Sequence, residues 1–234
     1  MDSISVVIPA LQEEAMVAEA IGRALAGAPR EVLVVDGGSR DATQERAAAA
    51  GALVLVSGPG RGRQMNAGAR AAGGDILLFL HADTWLPSGY AGEVRRLLAQ
   101  PGVAAGAFRL SIRDQGMGPA VMAWGANLRS RLWGLPYGDQ ALFCRRDVFW
   151  AAGGYAEEPL LEDVLLVRSL ARLGRIALAR QAVATSARRW QARGLWANFL
   201  LNQAIMAGHA LGVPKARLAR WRRQGLVSDP DRQP

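Results

Sequence analysis

The chain has 234 residues, of which 50% are hydrophobic, enough to bury the core of an α/β domain and too many for a disordered chain. Its single cysteine, Cys144, excludes a disulfide framework and a cysteine-based zinc cluster, and its apolar neighbours predict that it is buried. Residues 1–163 carry 15 arginines against 18 acidic residues, whereas residues 164–234 carry 13 basic residues against 2 acidic ones. We therefore expect a slightly acidic body followed by a basic C-terminal part that suits an anionic partner.

Short apolar strands alternate with Ala-rich helices over the first eighty residues. This alternation predicts a Rossmann-like α/β domain with a mostly parallel central sheet flanked by helices. In such a sheet, ligands bind at the carboxyl ends of the strands. The expected strands span 4–8, 31–35, 53–56 and 76–80, and the expected helices span 13–25, 42–50 and 64–72.

The second half of the chain is less regular. We expect strands near 106–112, 141–145 and 176–179, and helices over 120–132 and after Asp163. From Leu195 the pattern predicts two helices, of which the first is too polar to span a membrane. The second places Leu218 and Trp221 among arginines, a pattern typical of a helix at a membrane surface or of a solvated basic helix. We expect one domain over 1–190 and a basic helical extension over 191–234.

Two of the early strands end in polar residues that suit a ligand site. Asp36 ends the second strand before Gly37, and its carboxylate suits either the N–H groups of a nucleobase or a simple turn and helix cap. His81-Ala82-Asp83 follows the fourth strand, where a carboxylate suits Mg²⁺ or Mn²⁺ bridging phosphate groups. His81 is then either a second metal ligand or a hydrogen-bonded structural residue.

Two further segments carry charged groups. The glycine-rich loop 58–63 is not a dinucleotide-binding fingerprint, because the third glycine is replaced by Arg63. It predicts a flexible loop that presents Arg61 and Arg63 to a diphosphate or to solvent. Glu162 and Asp163 enter an apolar helix, where they suit either a general base or a favourable interaction with the helix dipole.

These segments, taken together, resemble family 2 glycosyltransferases of the GT-A fold over about residues 3–175. Residues 5–14 resemble the opening strand of the family, and residues 34–43 resemble its VDDGSTDGT segment. The Asn66-Ala67-Gly68 segment, the Leu80 to Asp83 segment and Gly153-Gly154-Tyr155 before Glu162-Asp163 are similar to the N-x-G, DxD, GGF and ED elements. Five motifs occur in the family order at plausible spacing. The LHADT form resembles a bacterial subgroup.

The resemblance implies a role for each matched residue. Asp83 binds the metal, Mg²⁺ or Mn²⁺, and Asp163 is the base of an inverting displacement, assisted by Glu162. Because His81 stands where the family has its first aspartate, the identity of the metal stays open. Asp139, Gln140, Arg189 and Trp190 are implied as acceptor or accessory residues. The residues implied in binding the nucleotide sugar are Pro9, Ala10, Leu11, Glu13, Asp36, Gly37, Arg61, Asn66, His81, Ala82 and Asp83.

The predicted function is therefore that of a hexosyltransferase-type enzyme that uses a UDP- or GDP-linked sugar and an unidentified acceptor. A nucleotidyltransferase is the first alternative, but its glycine-rich signature does not follow the first strand. A non-catalytic module that binds a nucleotide sugar or a membrane is the second, supported by His81. Nucleic acid is not an expected partner, because the basic tail lacks interleaved aromatic residues. With no signal segment before the first strand, we expect a cytoplasmic protein with a peripheral contact at the inner face of the membrane.

Overall fold

The computed structural model describes residues 1–113, 117–158, 160–187 and 195–224, and these form an α/β fold built on a single sheet. The domain boundary predicted between residues 190 and 191 lies outside the described residues. The strands are β1 Ile4–Ala10, β2 Glu31–Asp36, β3 Leu53–Val56, β4 Ile76–Phe79, β5 Thr84–Trp85, β6 Val103–Arg113, β7 Phe143–Arg145 and β8 Arg175–Ser186.

Helices connect these strands and extend the chain beyond the sheet. A short 3₁₀ turn, Gly138–Gln140, precedes β7. The α-helices are α1 Val17–Leu25, α2 Thr43–Ala49, α3 Arg61–Ala71, α4 Tyr90–Leu98, α5 Met117–Trp133, α6 Arg146–Ala151, α7 Glu162–Leu173, α8 Leu195–Ala210 and α9 Lys215–Gln224.

The sheet has the strand order β3-β2-β1-β4-β7-β6-β8-β5. Strands β1 to β4 pair in parallel, which confirms the prediction for the first half of the domain. Strand β7 is antiparallel to both β4 and β6, and β5 is antiparallel to β8, so the complete sheet is mixed. The carboxyl ends of β1, β2 and β4 therefore lie at the same edge of the sheet, where the connections to the following helices begin.

Alternate residues of the central strands fill two separate hydrophobic clusters, one on each face of the sheet. In β1, Val6 and Ile8 face the cluster that is covered by α1, α4 and α5. Val7 faces the other cluster, which α3, α6 and α7 cover. All three side chains are fully buried. Successive strand residues point to opposite faces, so a strand covered on both sides needs the continuous apolar run seen here. Cys144 is buried in the second cluster, as predicted.

Several element boundaries differ from the prediction. Helix α3 begins at Arg61, so Arg61 and Arg63 lie in its first turn and not in a flexible loop. Strand β8 continues to Ser186, seven residues beyond the predicted end at Ala179, because its pairing with β6 continues to Arg113. The sequence did not reveal β5, α4 or α6. Strand β5 has two residues and α6 has six, which is too short for a periodic pattern to appear.

The two C-terminal helices pack against each other and against the domain. Leu201 and Ile205 of α8 and Leu218 of α9 form a third buried cluster, to which Trp221 adds. Lys215 at the start of α9 forms an ion pair of 2.8 Å with Glu158 in the segment before α7. The apolar side of α9 is thus covered by α8 within the same chain. In the part of the chain that the structure describes, no helix combines the length and apolar character needed to cross a bilayer.

Gly68 allows α3 to lie directly on the sheet. A Cβ atom at this position would lie 2.4 Å from Cγ1 of Val7 and 3.0 Å from Cγ2 of Val35. We expect Gly68→Ala to reduce the free energy of unfolding by about 1–3 kcal/mol, the usual cost of overpacking a core, as measured by denaturant titration. In Gly92→Ala, the matched control in α4, the added methyl group meets nothing within 4 Å, and we expect unchanged or slightly higher stability. Equal stability of the two variants would contradict the close packing of α3.

Candidate active site

The segment that follows β4, at the carboxyl ends of the parallel strands, borders a cavity of about 470 Å³. The first turn of α3 contributes Arg61, the first turn of α7 contributes Glu162 and Asp163, and the segment after β4 contributes His81 and Asp83. Small-molecule sites in proteins usually measure about 300–1,000 Å³, so the cavity is large enough for a substrate. The structure brings together the residues that the sequence assigned to the diphosphate, the metal and the base.

Arg61 connects the two carboxylates at the start of α7. Its Nη1 atom lies 3.0 Å from Oε1 of Glu162 and 3.9 Å from Oδ2 of Asp163. The Arg61 side chain is 38% exposed, whereas those of Glu162 and Asp163 are 9% and 14% exposed. One positive charge therefore stands between two largely buried acids, and it remains accessible from the cavity.

The surroundings of Asp163 raise the pKa of its carboxyl group. Its burial is the main cause that raises its pKa, and the charge of Glu162 raises it further, while Arg61 acts in the opposite direction. The resulting pKa is about 7. A carboxyl group with a pKa near 7 is partly ionised at neutral pH and still basic enough to accept a proton from a hydroxyl group.

The opposite wall of the cavity comes from the 3₁₀ turn and from α8. Of the two residues of this turn predicted as acceptor or accessory residues, Asp139 lines the cavity, whereas Gln140 is fully buried and does not. Asn202, Ile205 and Met206 of α8 complete this wall. No role in the site was predicted for α8, although the amide of Asn202 within an apolar helix is a signal that points to one.

The residues predicted to bind the base and ribose lie at the ends of β1 and β2 and do not line this cavity. Asp36 is fully buried, and its carboxylate accepts the N–H groups of Gly38 and Ser39, the Ser39 hydroxyl and the Gln44 amide. Burial raises the pKa of Asp36, but these hydrogen bonds outweigh it and lower the pKa below its usual value. The observed bonds correspond to the turn and cap interpretation of this residue.

Gln64 holds this part of the site together, and the sequence did not single it out. Its Nε2 donates to the carbonyl oxygens of Ala10 and Val35, both at 2.8 Å. These carbonyls belong to the ends of β1 and β2, so α3 fixes both strand ends at once. A glutamine in a helix rich in arginine and glycine carries no pattern that would predict this contact.

The other residues predicted to bind the nucleotide differ in their exposure to solvent. Leu11 is 48% exposed and Pro9 is partly buried, so both are accessible at the end of β1. Glu13 is buried, and its N–H donates to Oγ1 of Thr43. Ala82 is 3% exposed and belongs to the core on the side of α1, so its side chain does not face the cavity.

Asn66 has a positioning role that differs from its predicted contact with the donor. Its Nδ2 donates to the carbonyl oxygen of Tyr155 at 2.8 Å, and its Oδ1 accepts the Tyr155 N–H at 2.9 Å. The donor and the acceptor of the Asn66 side-chain amide are therefore both hydrogen-bonded to the backbone of Tyr155. This pair joins α3 to the segment that leads to Glu162 and Asp163. Arg189 and Trp190, predicted near the acceptor, lie outside the described residues.

The family comparison agrees with this geometry. The model of glycosyl transferase family 2 matches residues 5–146, which is more than half of the chain. The chain belongs to this family. The match ends before Asp163, so the predicted base and the α8 residues of this family 2 glycosyltransferase lie in the part that the family model does not cover.

Glucosyl-3-phosphoglycerate synthases are similar to this glycosyltransferase. The enzyme of Mycolicibacterium smegmatis is 39% identical over 93 residues, covering 35% of this chain and 31% of the relative. The match thus spans about a third of the relative's length. A crystal structure of the Mycobacterium tuberculosis enzyme with Mn²⁺, UDP-glucose and phosphoglyceric acid has a TM-score of 0.57 and 27% identity, covering 79% of this chain and 72% of that one. The same enzyme with Mg²⁺ and UDP has a TM-score of 0.56 and 25% identity.

The cavity of this glycosyltransferase fits a divalent cation that arrives with its substrate. Among residues 1–113, 117–158, 160–187 and 195–224, no cluster of three or more His, Cys, Asp or Glu side chains is arranged to hold a metal. Asp83 is 2% exposed as a residue and borders the cavity beside Arg61. Mg²⁺ is commonly bound by one or two carboxylates together with substrate phosphates, so a single aspartate at this place is sufficient.

The raised pKa of Asp163 has a consequence for stability. Because this pKa is about 7 and an unfolded aspartate has a pKa of about 3.9, the folded state binds the proton more tightly between these values. The contribution of Asp163 therefore becomes less favourable as the pH rises from about 4 to 7. We expect Asp163→Asn to raise the melting temperature relative to wild type, and to raise it more at pH 8 than at pH 5. Calorimetry of both proteins measures this difference.

Asp147→Asn is the matched control for this measurement, because Asp147 is an exposed carboxylate in the first turn of α6. It should show no comparable dependence on pH. A pH-independent effect of Asp163→Asn would show that the carboxyl group of Asp163 is not held in its neutral form by the fold.

Proposed function

We propose that this family 2 glycosyltransferase moves a hexosyl group from a UDP-linked sugar to a hydroxyl group of a small acceptor, with inversion at the anomeric carbon. The observation that carries the proposal is the buried Asp163 carboxyl group, which borders one cavity with Arg61 and Asp83. The relatives supply the donor, since their structures contain UDP-glucose or UDP. They also make phosphoglyceric acid the first acceptor to test.

In the proposed reaction, the carboxylate of Asp163 takes the proton of the acceptor hydroxyl. The hydroxyl oxygen attacks the anomeric carbon as the bond to the diphosphate oxygen breaks, and UDP leaves with the bonding electrons. Arg61, at the start of α3, binds the diphosphate together with the free N–H groups of that helix end. Asp83 and the donor phosphates would hold Mg²⁺ or Mn²⁺, which when bound neutralises charge on the leaving group.

Glu162 supports the reaction through Asp163 and Arg61. Its charge raises the pKa of the Asp163 carboxyl group, and its Oε1 accepts a hydrogen bond from Arg61. The walls formed by Asp139 and by Asn202, Ile205 and Met206 provide the acceptor side of the cavity. In this proposal, the donor binds between α3 and the end of β4, and the acceptor binds between α7 and α8.

A peripheral membrane contact is a separate proposal that rests on charge. Arg217 and Arg220 of α9 are exposed, in a segment whose charge is strongly positive. Leu218 and Trp221 do not support an inserted helix, because they pack within the third buried cluster. Only an electrostatic attraction to anionic lipid is therefore proposed, and it is independent of catalysis.

The metal role of Asp83 is tested by binding and by turnover. We expect wild type to bind UDP more tightly with Mn²⁺ than without it in isothermal titration calorimetry. Asp83→Asn should lose this Mn²⁺-dependent gain, because it removes the proposed protein ligand, whereas Asp147→Asn should keep it. Release of UDP from UDP-glucose, with and without 3-phosphoglycerate, reports the chemistry in parallel. We expect Asp163→Asn to bind UDP normally and to lose turnover at least about 100-fold, the usual contribution of a general base.

Failure to bind any UDP-sugar, with or without Mn²⁺, would reject the donor assignment. Binding of UDP-glucose with turnover that is unaffected by Asp163→Asn would reject the base. Release of pyrophosphate from a nucleoside triphosphate and a sugar phosphate would instead favour a nucleotidyltransferase.

A further inference from the structure

The 3₁₀ turn Gly138–Gln140 lies directly against the proposed base. A Cβ atom at Gly138 would lie 2.5 Å from Oδ2 and 2.7 Å from Cγ of Asp163, so only glycine fits beside the carboxyl group as it is placed. The backbone φ of Gly138 is not in the left-handed region, so an alanine at this position conflicts with the Asp163 side chain and not with the backbone. Residue 138 therefore limits where the carboxyl group can lie.

The side chain of Gln140 holds this turn in place through hydrogen bonds to neighbouring elements. It is fully buried, and its Nε2 donates to the carbonyl oxygen of Phe108 in β6 at 2.9 Å. Its Oε1 accepts the hydroxyl of Ser130 at 2.8 Å and the N–H of Tyr137 at 3.2 Å. One side chain thus connects the turn to the sheet and to α5. A buried amide that makes several hydrogen bonds is costly to replace, because its partners would lose theirs.

Arg129 supports the same turn from α5. Its Nε donates to the carbonyl oxygen of Leu135 at 3.0 Å, and its guanidinium lies 3.4 Å from the centroid of the Tyr137 ring. The residue before the turn is therefore held by a cation–π contact as well as by the Gln140 hydrogen bond. The turn is therefore held by contacts from both β6 and α5.

We propose that Gly138 and Gln140 are positioning residues of the transfer reaction, in which Gln140 holds the turn and Gly138 sets the orientation of the Asp163 carboxyl group. This inference rests on the proposed function, because it takes Asp163 as the base. Gln140 acts through the turn and touches no substrate. Of the two roles that the family resemblance implied for Gln140, acceptor or accessory residue, this proposal takes the accessory one.

The charged and titratable groups that face Asp163 come from three other positions of the fold besides its own helix. Glu162 lies beside it on α7, Arg61 faces it from α3, Asp139 from the turn, and Tyr155 from the segment before α7. Glu162 and Asp139 raise the pKa of Asp163, whereas Arg61 and the backbone N–H of Gly138 lower it. Displacing the carboxyl group from the Gly138 N–H should therefore shift its titration to higher pH.

Gly138→Ala and Gln140→Ala test the inference. We expect both variants to reduce kcat for UDP-glucose about 10- to 100-fold, the cost of a displacement of about 1 Å in a reacting group, with UDP affinity within about twofold of wild type. The rise of kcat with pH should move to higher pH in Gly138→Ala. Gly125→Ala, whose methyl group meets nothing within 4 Å in α5, and Gln181→Ala, whose amide donates to Ser88 outside the cavity, should match wild type.

A measurement that does not depend on turnover distinguishes a failure of the positioning role of Gly138 from a failure of the base role of Asp163. In protein labelled with ¹³C at the aspartate carboxyl carbons, the Asp163 signal is identified by its absence from Asp163→Asn and titrated in wild type and Gly138→Ala. A titration shifted to higher pH in Gly138→Ala supports the positioning role even if Asp163→Asn retains turnover, an outcome that would reject only the base assignment. An unchanged titration together with unchanged kcat in Gly138→Ala would overturn the inference. If Gln140→Ala does not fold, Gly138→Ala alone decides.

Discussion

Two neighbouring carboxyl groups at the start of α7, those of Glu162 and Asp163, share the single guanidinium of Arg61. The cavity is therefore lined by two acidic groups that share one positive charge, an imbalance within this cluster. Glu162 and Asp163 are largely removed from water, which is unfavourable for both charges unless they are compensated. The positive end of the α7 dipole and Arg61 compensate part of this cost, and the remainder appears as the raised pKa of Asp163. The same imbalance that costs stability gives the carboxyl group its basicity. In the proposed reaction, an anionic diphosphate bound to Arg61 would change the charge around Asp163 while Asp163 acts as the base.

Helix α3 transmits the geometry of the sheet to this charge cluster. It can do so because Gly68 lets it contact β1 and β2 directly, while Gln64 fixes the ends of these two strands. Asn66, on the same helix, fixes the backbone of Tyr155 in the segment that precedes α7. Arg61 is therefore placed relative to the strands and to the acidic pair by one rigid element. Rigid support of this kind is what a site needs if its reacting groups are to be held within a fraction of an ångström.

The sequence predicted the parts of this molecule that are encoded locally. Continuous apolar runs predicted β1 to β4, and the family resemblance implied Asp83, Arg61 and Asp163 as site residues, which the structure brings to one cavity. The contacts that hold the site could not be predicted, because Gln64, Asn66 and Gln140 form hydrogen bonds to backbone groups 29 to 89 residues away. Nor could the wall formed by α8, since only the tertiary fold brings a C-terminal helix to the cavity. In α9, by contrast, the sequence suggested an exposed surface that the fold buries. The apolar stripe of Leu218 and Trp221 suggested a helix at a membrane surface, but α8 covers it.

In the proposed function, part of the acceptor side of the cavity is formed by a different stretch of chain from the donor side. Arg61 and Asp83 lie within residues 5–146, the span that the family shares, whereas Asn202, Ile205 and Met206 belong to a hairpin of two helices near the end of the chain. This hairpin is joined to the domain through the Lys215–Glu158 ion pair and a small apolar cluster. In the proposed function, substitutions in α8 would change the acceptor side of the cavity while leaving Arg61 and Asp83 in place. The two sides of the cavity could then change in sequence independently of each other.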